Sequence, residues 1–285
     1  MENWELGGGR RGKSGLRGGR GGGRGRGEGR EVAISKALSK LLRHAAEDEG
    51  LVLDSEGFGR LDLVMKWLRQ RSLDVTFADI KTAVTDNAKQ RFTMKPNPNL
   101  PTPPDSSSED PSDWVIRANQ GHSIYIDSAA LLTPITLEAG NMPEVVVHGT
   151  YFAFYEAIVA SGGLKKMSRN HIHCSTGLPE DKKGGVISGM RNDAEILVYI
   201  DIKRSMLDGG LKWWLSDNGV VLTEGNKDGM LSTRYFQKVV GKKEEVGVLW
   251  EEGEKKAELP EKFKGRKAPM GKGPRMQGRG KKGGK

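Results

Sequence analysis

The first third of the chain alternates apolar and polar residues at helical spacing. Apolar positions between residues 34 and 45 fall on one helix face, and an ideal helix places Arg43 opposite them. The same spacing predicts a second helix through residues 63–68 and a third that begins near Thr76. These periods indicate a compact helical unit at the start of the folded part.

Two extended stretches follow, residues 91–95 and 114–119. The insert between them, residues 96–113, holds half of the chain's twelve prolines and is predicted to be a disordered hairpin tip. Three helices followed by a two-stranded hairpin is the pattern of a winged helix, a fold that often binds nucleic acid.

The second half has mainly strand patterns. Short apolar runs predict strands at residues 145–147, 196–200, 213–215, 220–222 and 235–240. Asp217-Asn218-Gly219 is a hairpin turn signal, and a helix is predicted near residues 151–160, ending at glycine. Residues 124–142 are interpreted as a linker to this mixed β lobe. The fold class expected is therefore α+β and bilobal.

Charge is concentrated at the two ends. Residues 1–30 hold eight Lys/Arg against three Glu, and residues 241–285 hold fourteen against seven, so the tails contribute +12 to a formal charge of +9 and residues 31–240 carry −3. Both tails are predicted to be disordered, and the Gly/Arg-rich arm resembles segments that associate with RNA. Any specific contact with RNA must come from arginines within the folded part.

Cysteine content and hydropathy exclude several classes of protein. Cys174 is the lone cysteine, which excludes an internal disulfide and a multi-cysteine zinc site. No apolar run approaches about 20 residues, the length of a membrane span. We expect a soluble protein with no membrane or metal, located in the cytoplasm, the nucleus or both.

All five histidines lie in short segments that also carry arginine, glycine or a hydroxyl group. Histidine offers two ring nitrogens near neutral pH, so this grouping indicates a site that handles phosphate or nucleotide. Each histidine taken singly is more often a satisfied core or surface residue. The segments are Arg43-His44, Gln120-Gly121-His122-Ser123, His148-Gly149-Thr150 and His171-Ile172-His173-Cys174-Ser175.

Four arginines are candidates for holding phosphate, because the planar guanidinium matches two phosphate oxygens. They are Arg43, Arg91, Arg117 and Arg191. Alone, each is more often a solvated surface residue. The Gln120–Ser123 segment could bend around a phosphate or ribose, or be an ordinary strand end, and Gly149 would let a ligand approach the backbone.

Eight motifs, in order from about residue 34 to residue 240, resemble the RNA 2′-phosphotransferases of tRNA splicing. Phe58 replaces a tryptophan often found there, and the insert and both tails lie outside the resemblance. The motifs are Leu42-Arg43-His44; Gly50 to Asp54 with Gly57; Lys89-Gln90-Arg91-Phe92; Ile116 to Ser123; His148-Gly149-Thr150; His171-Ile172-His173; Gly189-Met190-Arg191; and Asn218 to Thr223.

The resemblance implies a fold and a reaction. An N-terminal winged-helix lobe (residues 31–123) and a C-terminal ADP-ribosyltransferase-like lobe (143–240) would bind RNA and NAD+. A 2′-phosphate oxygen attacks the anomeric carbon of NAD+ and expels nicotinamide. The ribose 2″-hydroxyl then attacks the phosphorus, releasing RNA with a free 2′-hydroxyl and ADP-ribose 1″,2″-cyclic phosphate, with no metal. The partner would be tRNA with a splice-junction 2′-phosphate, bound by a monomer.

The resemblance also implies the site residues. Arg43, His44, Arg91 and Arg191 form the catalytic set, and these arginines with Arg117 contact phosphate or RNA. The NAD+ contacts are Gln120, Gly121, His122, Ser123, His148, Gly149, Thr150 and His173. The Asn218–Thr223 segment lacks the catalytic glutamate of many ADP-ribosyltransferases, and an anionic phosphate nucleophile does not need a general base in the first step.

Two alternatives remain open on the sequence. One is an ADP-ribosyltransferase that caps terminal phosphates of RNA or DNA and stops after the first step. The other is a non-catalytic RNA-binding protein whose arginines are scattered and which does not bind NAD+.

Overall fold

The computed structural model describes residues 24–86, 88–178 and 188–269. They form a mixed α and β structure, as the sequence predicts. The helices are α1 (Arg24–Lys40), α2 (Leu61–Gln70), α3 (Phe77–Thr85), α4 (Ser128–Leu131), α5 (Phe152–Ala160) and α6 (Ile202–Gly209). The strands are β1 (Gly59–Arg60), β2 (Phe92–Pro96), β3 (Trp114–Ala118), β4 (Thr133–Ile135), β5 (Val147–Thr150), β6 (Gly163–Lys165), β7 (Ile172–Cys174), β8 (Ile196–Ile200), β9 (Trp213–Leu215), β10 (Val221–Thr223), β11 (Met230–Ser232), β12 (Phe236–Gly241), β13 (Val248–Glu251) and β14 (Glu254–Lys255).

The first hydrophobic core lies between helices α1 to α3 and a small antiparallel sheet of order β1-β3-β2. The predicted three helices and hairpin are confirmed. Helix α3 begins after Thr76 with a capping box. The Thr76 side chain accepts from the backbone N–H of Asp79, and the Asp79 carboxylate accepts from the backbone N–H of Thr76. Leu38, Leu42 and Leu68 are fully buried in this core. The residues on the opposite helix faces therefore point outward.

The prediction of a disordered insert at residues 96–113 is wrong. Asn97 is buried, its backbone N–H donates to the carbonyl of Asp113 at 2.8 Å, and its amide donates to the carbonyl of Ser112 at 3.1 Å. The Trp114 indole N–H donates to the carbonyl of Ser108 at 3.0 Å. Short Asp, Asn and Ser side chains satisfy the backbone of this proline-rich loop, so it needs no partner strand.

The second hydrophobic core is enclosed by antiparallel sheets of order β4-β9-β10-β7 and β14-β13-β12-β8-β5, with β6 and β11 forming a separate pair. Each of the predicted strands is present, with boundaries shifted by three residues at most. Helix α5 is also present and ends at Ser161, followed by Gly162 at φ 81°. The predicted hairpin at residues 217–219 joins β9 to β10.

Three predicted boundaries are wrong. Residues 124–142 are not a simple linker, because they contain α4 and β4, and β4 pairs with β9. The tail predicted from residue 241 is folded up to residue 269: β13 pairs with β12, and Phe263 is buried and stacked on Phe152 with ring centroids 4.5 Å apart. Spaced single hydrophobic residues in a charged segment concealed this. Residues 24–30 of the predicted arm belong to α1, while residues 1–23 and 270–285 lie outside the described part.

The two cores meet through polar contacts around the β9–β10 turn. The guanidinium of Arg117 on β3 donates to the carboxylate of Asp217 at 2.6 Å, and the amide of Asn218 donates to the carbonyl of Lys89 at 2.8 Å. These contacts hold the two halves side by side. Within the described residues, no helix has the length and apolar character required to cross a membrane.

Candidate active site

Arg43 lies on a short π-helical turn, Leu41–Ala45, that continues α1. Burial of Leu41, Leu42 and Ala45 orients this turn and directs Arg43 away from the core. Its Nε and Nη2 atoms are buried and have no hydrogen-bond partner among the described residues. Burial, together with the charges of Arg169 and Arg91, lowers the pKa of Arg43 to about 10. A buried guanidinium fork without a partner is suited to receive an anion.

The loop after β3 encloses this arginine. Gly121 has φ 87°, and a Cβ atom there would lie 3.5 Å from Arg43 Nη1. The backbone N–H of Ser123 donates to the carbonyl of Arg43 at 2.9 Å, and the Ser123 hydroxyl lies 2.9 Å from His44 Nδ1. The structure therefore brings the predicted loop of residues 120–123 against the predicted Arg43-His44 pair.

Arg91 precedes β2, and burial lowers its pKa. Its backbone carbonyl accepts from the N–H of Asn119 at 3.0 Å, which ties it to the end of β3. Because the charge of Arg91 lowers the pKa of Arg43, the two guanidinium groups lie within electrostatic reach of each other. They form the side of the site contributed by the first core.

Arg191 lies between Met190 and β8 and belongs to the second core. Its guanidinium donates to the Tyr151 hydroxyl at 3.4 Å and lies 5.6 Å from the centre of the Tyr151 ring. The Tyr151 hydroxyl donates in turn to the carboxylate of Asp193 at 2.9 Å. The Arg191 side chain remains exposed, so this partner orients it without covering it.

Arg169, which sequence reasoning missed, connects the two groups of arginines. Burial of the guanidinium lowers the pKa of Arg169, and the charge of Arg191 also lowers it. The charge of Arg169 in turn lowers the pKa of Arg43 and of His173. Its position two residues before His171 was the available signal. Arg91, Arg43, Arg169 and Arg191 thus form one electropositive patch that spans both cores.

Three histidines beside this patch are held neutral. Burial, followed by the charge of Arg43, lowers the pKa of His122 to about 3. Burial also lowers the pKa of His148 and of His173. His148 Nδ1 lies 2.8 Å from the carbonyl of His173, and His173 Nδ1 lies 3.0 Å from the carbonyl of His171. A carbonyl only accepts, so each Nδ1 carries the proton and each Nε2 is an acceptor.

Two predicted site residues have other surroundings. Arg117 donates to Asp217, lies 3.7 Å from the carboxylate of Glu56 and stacks 4.6 Å from the Phe58 ring, so it does not join the arginine patch. A Cβ atom on Gly149 would lie 2.6 Å from Met190 Cγ. This glycine makes room for the residue before Arg191.

The remaining predicted contacts lie nearby on β5 and β7. Thr150 is buried at the end of β5, and its carbonyl accepts from the N–H of Glu195 at 2.8 Å. His173 is on β7, which pairs with β10. The Nε2 atoms of His122 and His173 are buried and lack a hydrogen-bond partner within the described part of the chain.

A groove of about 940 Å³ opens from the site along α1 and α3. His44 and Arg91 line it together with Lys36, Lys40 and Lys89 and with acidic residues. Lys36, Lys40 and His44 are four residues apart, so they form one row along the helix. The groove therefore leads an elongated ligand to the arginine patch.

The sequence also matches a known protein family. Residues 29–225 match the family model described as RNA 2′-phosphotransferase, Tpt1 / KptA family. The chain belongs to this family. The matched span includes all four arginines of the patch and ends before β11, so β11 to β14 lie outside it.

Relatives within the 2′-phosphotransferase family cover most of the chain. A tRNA 2′-phosphotransferase 1 from Danio rerio is 38% identical over 198 residues, covering 70% of this chain and 80% of that protein. The Bos taurus protein of the same name is 38% identical and covers 82% and 85%. The tRNA 2′-phosphotransferase of Saccharomyces cerevisiae is 36% identical and covers 71% and 80%.

Proposed function

We propose that this protein removes the 2′-phosphate at tRNA splice junctions and transfers it to NAD+, giving RNA with a 2′-hydroxyl, ADP-ribose 1″,2″-cyclic phosphate and nicotinamide. The protein is a transferase of the RNA 2′-phosphotransferase family. The observation that carries the proposal is the arginine patch, in which the charge of Arg169 acts on Arg43, the charge of Arg91 acts on Arg43, and the charge of Arg191 acts on Arg169. Like charges gathered in this way are stabilised when an anion binds between them.

In this proposal Arg43, Arg91 and Arg191 hold the 2′-phosphate. The fork of Arg43 lies beside Gly121 and has two buried nitrogen atoms available to phosphate oxygens. Fixed donors of this kind stabilise charge without reorganising during the reaction. His44, hydrogen-bonded to Ser123, orients the phosphate or moves a proton during the second step. We add Arg169 to the residues that hold the anion.

NAD+ supplies a ribose carbon whose bond to nicotinamide breaks on attack by the phosphate oxygen. Buried ring nitrogens without partners suit its ribose hydroxyls, and His122 Nε2 and His173 Nε2 are two such atoms. We assign NAD+ contacts to Gln120, Gly121, His122, Ser123, His148, Thr150 and His173. Gly149 supports the site through Met190. Neutral imidazoles are appropriate here, because a charged one would repel the positive nicotinamide ring of the substrate.

The fold supports this division of roles. The three helices and the β1-β3-β2 sheet fit a winged helix, and the two antiparallel sheets of the second core fit an ADP-ribosyltransferase-like lobe. We propose that the groove along α1 and α3 holds the RNA strand next to the 2′-phosphate. Lys36 and Lys40 then contact flanking phosphates, as basic rows do in single-strand binding.

The decisive experiment is incubation of the protein with a 2′-phosphorylated oligonucleotide and NAD+, scoring phosphate loss and nicotinamide release together. We expect equal amounts of both products and a cyclic phosphate on ADP-ribose. A stable ADP-ribosylated oligonucleotide would identify a capping enzyme instead. Binding of RNA without nicotinamide release would identify a non-catalytic binding protein.

A further inference from the structure

The segment that presents Arg91 is held in an unusual backbone conformation. Gln90, directly before Arg91, has φ 40°, a value that a residue with a side chain rarely adopts. Such a conformation is unfavourable and persists only when surrounding contacts impose it. The contacts that impose it therefore determine where the Arg91 guanidinium lies.

Two asparagines supply these contacts. The amide of Asn119 donates to the carbonyl of Gln90 at 2.9 Å, and its backbone N–H donates to the carbonyl of Arg91 at 3.0 Å. The amide of Asn218 donates to the carbonyl of Lys89 at 2.8 Å, and the Ser188 hydroxyl donates to the same carbonyl at 3.4 Å. Three successive carbonyl groups are thus each held by a specific donor.

Asn218 differs from Asn119 because it belongs to the other core. It lies on the β9–β10 turn, 129 residues from Lys89 in sequence. The Ser216 hydroxyl donates to Asn218 Oδ1 at 2.8 Å, which fixes the direction of the amide. The adjacent Asp217 receives Arg117 from the first core at 2.6 Å. The turn is therefore fixed on one side and attached to the Arg91 segment on the other.

We propose that Asn218 is a positioning residue for the transfer reaction: it joins the second core to the Lys89–Arg91 segment and so sets Arg91 in register with Arg191. This inference rests on the proposed function. Arg91 and Arg191 come from different cores, so their separation depends on contacts that cross between the cores. A misplacement of about 1 Å in a group that orients the reacting atoms can reduce turnover about a hundredfold.

The test uses Asn218→Asp in the full chain. Aspartate has the same shape and keeps an acceptor for the Ser216 hydroxyl, but it cannot donate to the carbonyl of Lys89. We expect kcat on a 2′-phosphorylated oligonucleotide to fall about tenfold to a hundredfold, with the KM for NAD+ changed less than about threefold. Asn218→Ala, which adds no charge, should give a similar loss.

A double-mutant cycle separates positioning from a general structural effect. If Asn218 acts through Arg91, Asn218→Asp causes little further loss in a protein that already carries Arg91→Lys. If the two losses multiply, Asn218 does not act through Arg91 and the proposal is wrong. Wild-type kcat in both Asn218 variants would also overturn it.

The matched control is Asn141→Asp. The amide of Asn141 donates to the carbonyl of Pro134 on β4 at 2.9 Å, and its Oδ1 accepts from the N–H of Thr136 at 3.1 Å, so both contacts are local in sequence. Its kcat should equal that of the wild type. A wild-type protein without activity on this substrate would contradict the proposed function, whereas an active wild type with unchanged Asn218 variants contradicts only the positioning role.

Discussion

Replacing Arg43 by lysine tests the anion site most directly. The substitution keeps a positive charge on the π-helical turn but removes the planar fork. In the structure two nitrogen atoms of that fork are buried without partners, and Gly121 lies against its side. A lysine ammonium would offer a single point of contact at the end of a flexible chain. The variant therefore separates the effect of geometry from that of charge.

The expected loss of activity in Arg43→Lys has two parts. Loss of one preorganised donor reduces kcat by about 10² to 10³, and the charge that lysine retains should limit this to roughly 10 to 100-fold at pH 7. The second part comes from burial. The environment of Arg43 lowers the pKa of its guanidinium to about 10. The same burial and neighbouring charges should lower the pKa of a lysine ammonium below its ordinary value of about 10.4. The variant should then lose its charge at a lower pH than the wild type.

The assay is single-turnover transfer from a 2′-phosphorylated oligonucleotide at pH values from 6.5 to 9.5. We expect the Arg43→Lys rate, relative to the wild-type rate, to fall as the pH rises through the upper part of this range. Arg60→Lys is the control, because Arg60 is exposed and pairs with Asp62 at 2.7 Å on the surface. A variant with the wild-type rate, or with a reduced rate and the wild-type pH profile, would refute the reasoning.

Three further predictions follow from the same structure. Burial lowers the pKa of His122 to about 3, whereas a histidine in the unfolded chain takes up its proton near pH 6.5. Acidification below pH 6.5 therefore favours the unfolded state, and the free energy of unfolding should fall by about 2 kcal/mol by pH 5. Urea unfolding at pH 7.5 and 5 should therefore show a smaller loss for His122→Asn, and an equal loss would contradict the assignment. Gly149→Ala brings a Cβ atom within 2.6 Å of Met190 Cγ and should lower the free energy of unfolding by about 1–3 kcal/mol. Met190→Ala should restore part of that loss in thermal unfolding, and no recovery would mean that the clash lies elsewhere. Lys36→Gln with Lys40→Gln should raise the KM for RNA and reduce the salt slope of log affinity by about 1.4, with kcat unchanged, whereas an unchanged slope would place the RNA outside the groove.

The local elements were predictable because each depends on neighbouring residues. The apolar period of α1 places Arg43 opposite the buried leucines, and Thr76 provides the capping box that begins α3. Asp217-Asn218-Gly219 forms the predicted turn. The errors lie where tertiary contacts replace local pattern. Phe263 is buried against Phe152 although its segment is highly charged.

Sequence alone determined which residue types were available and the family they indicate, because the arginines and histidines stand in ordered motifs. Tertiary structure alone decided which of them meet. It excluded Arg117 from the patch by pairing it with Asp217, and it introduced Arg169 between Arg43 and Arg191. The physical reason is that the strength of a charge depends on burial and on neighbours from distant parts of the chain, and neither is encoded in the local pattern around a single arginine.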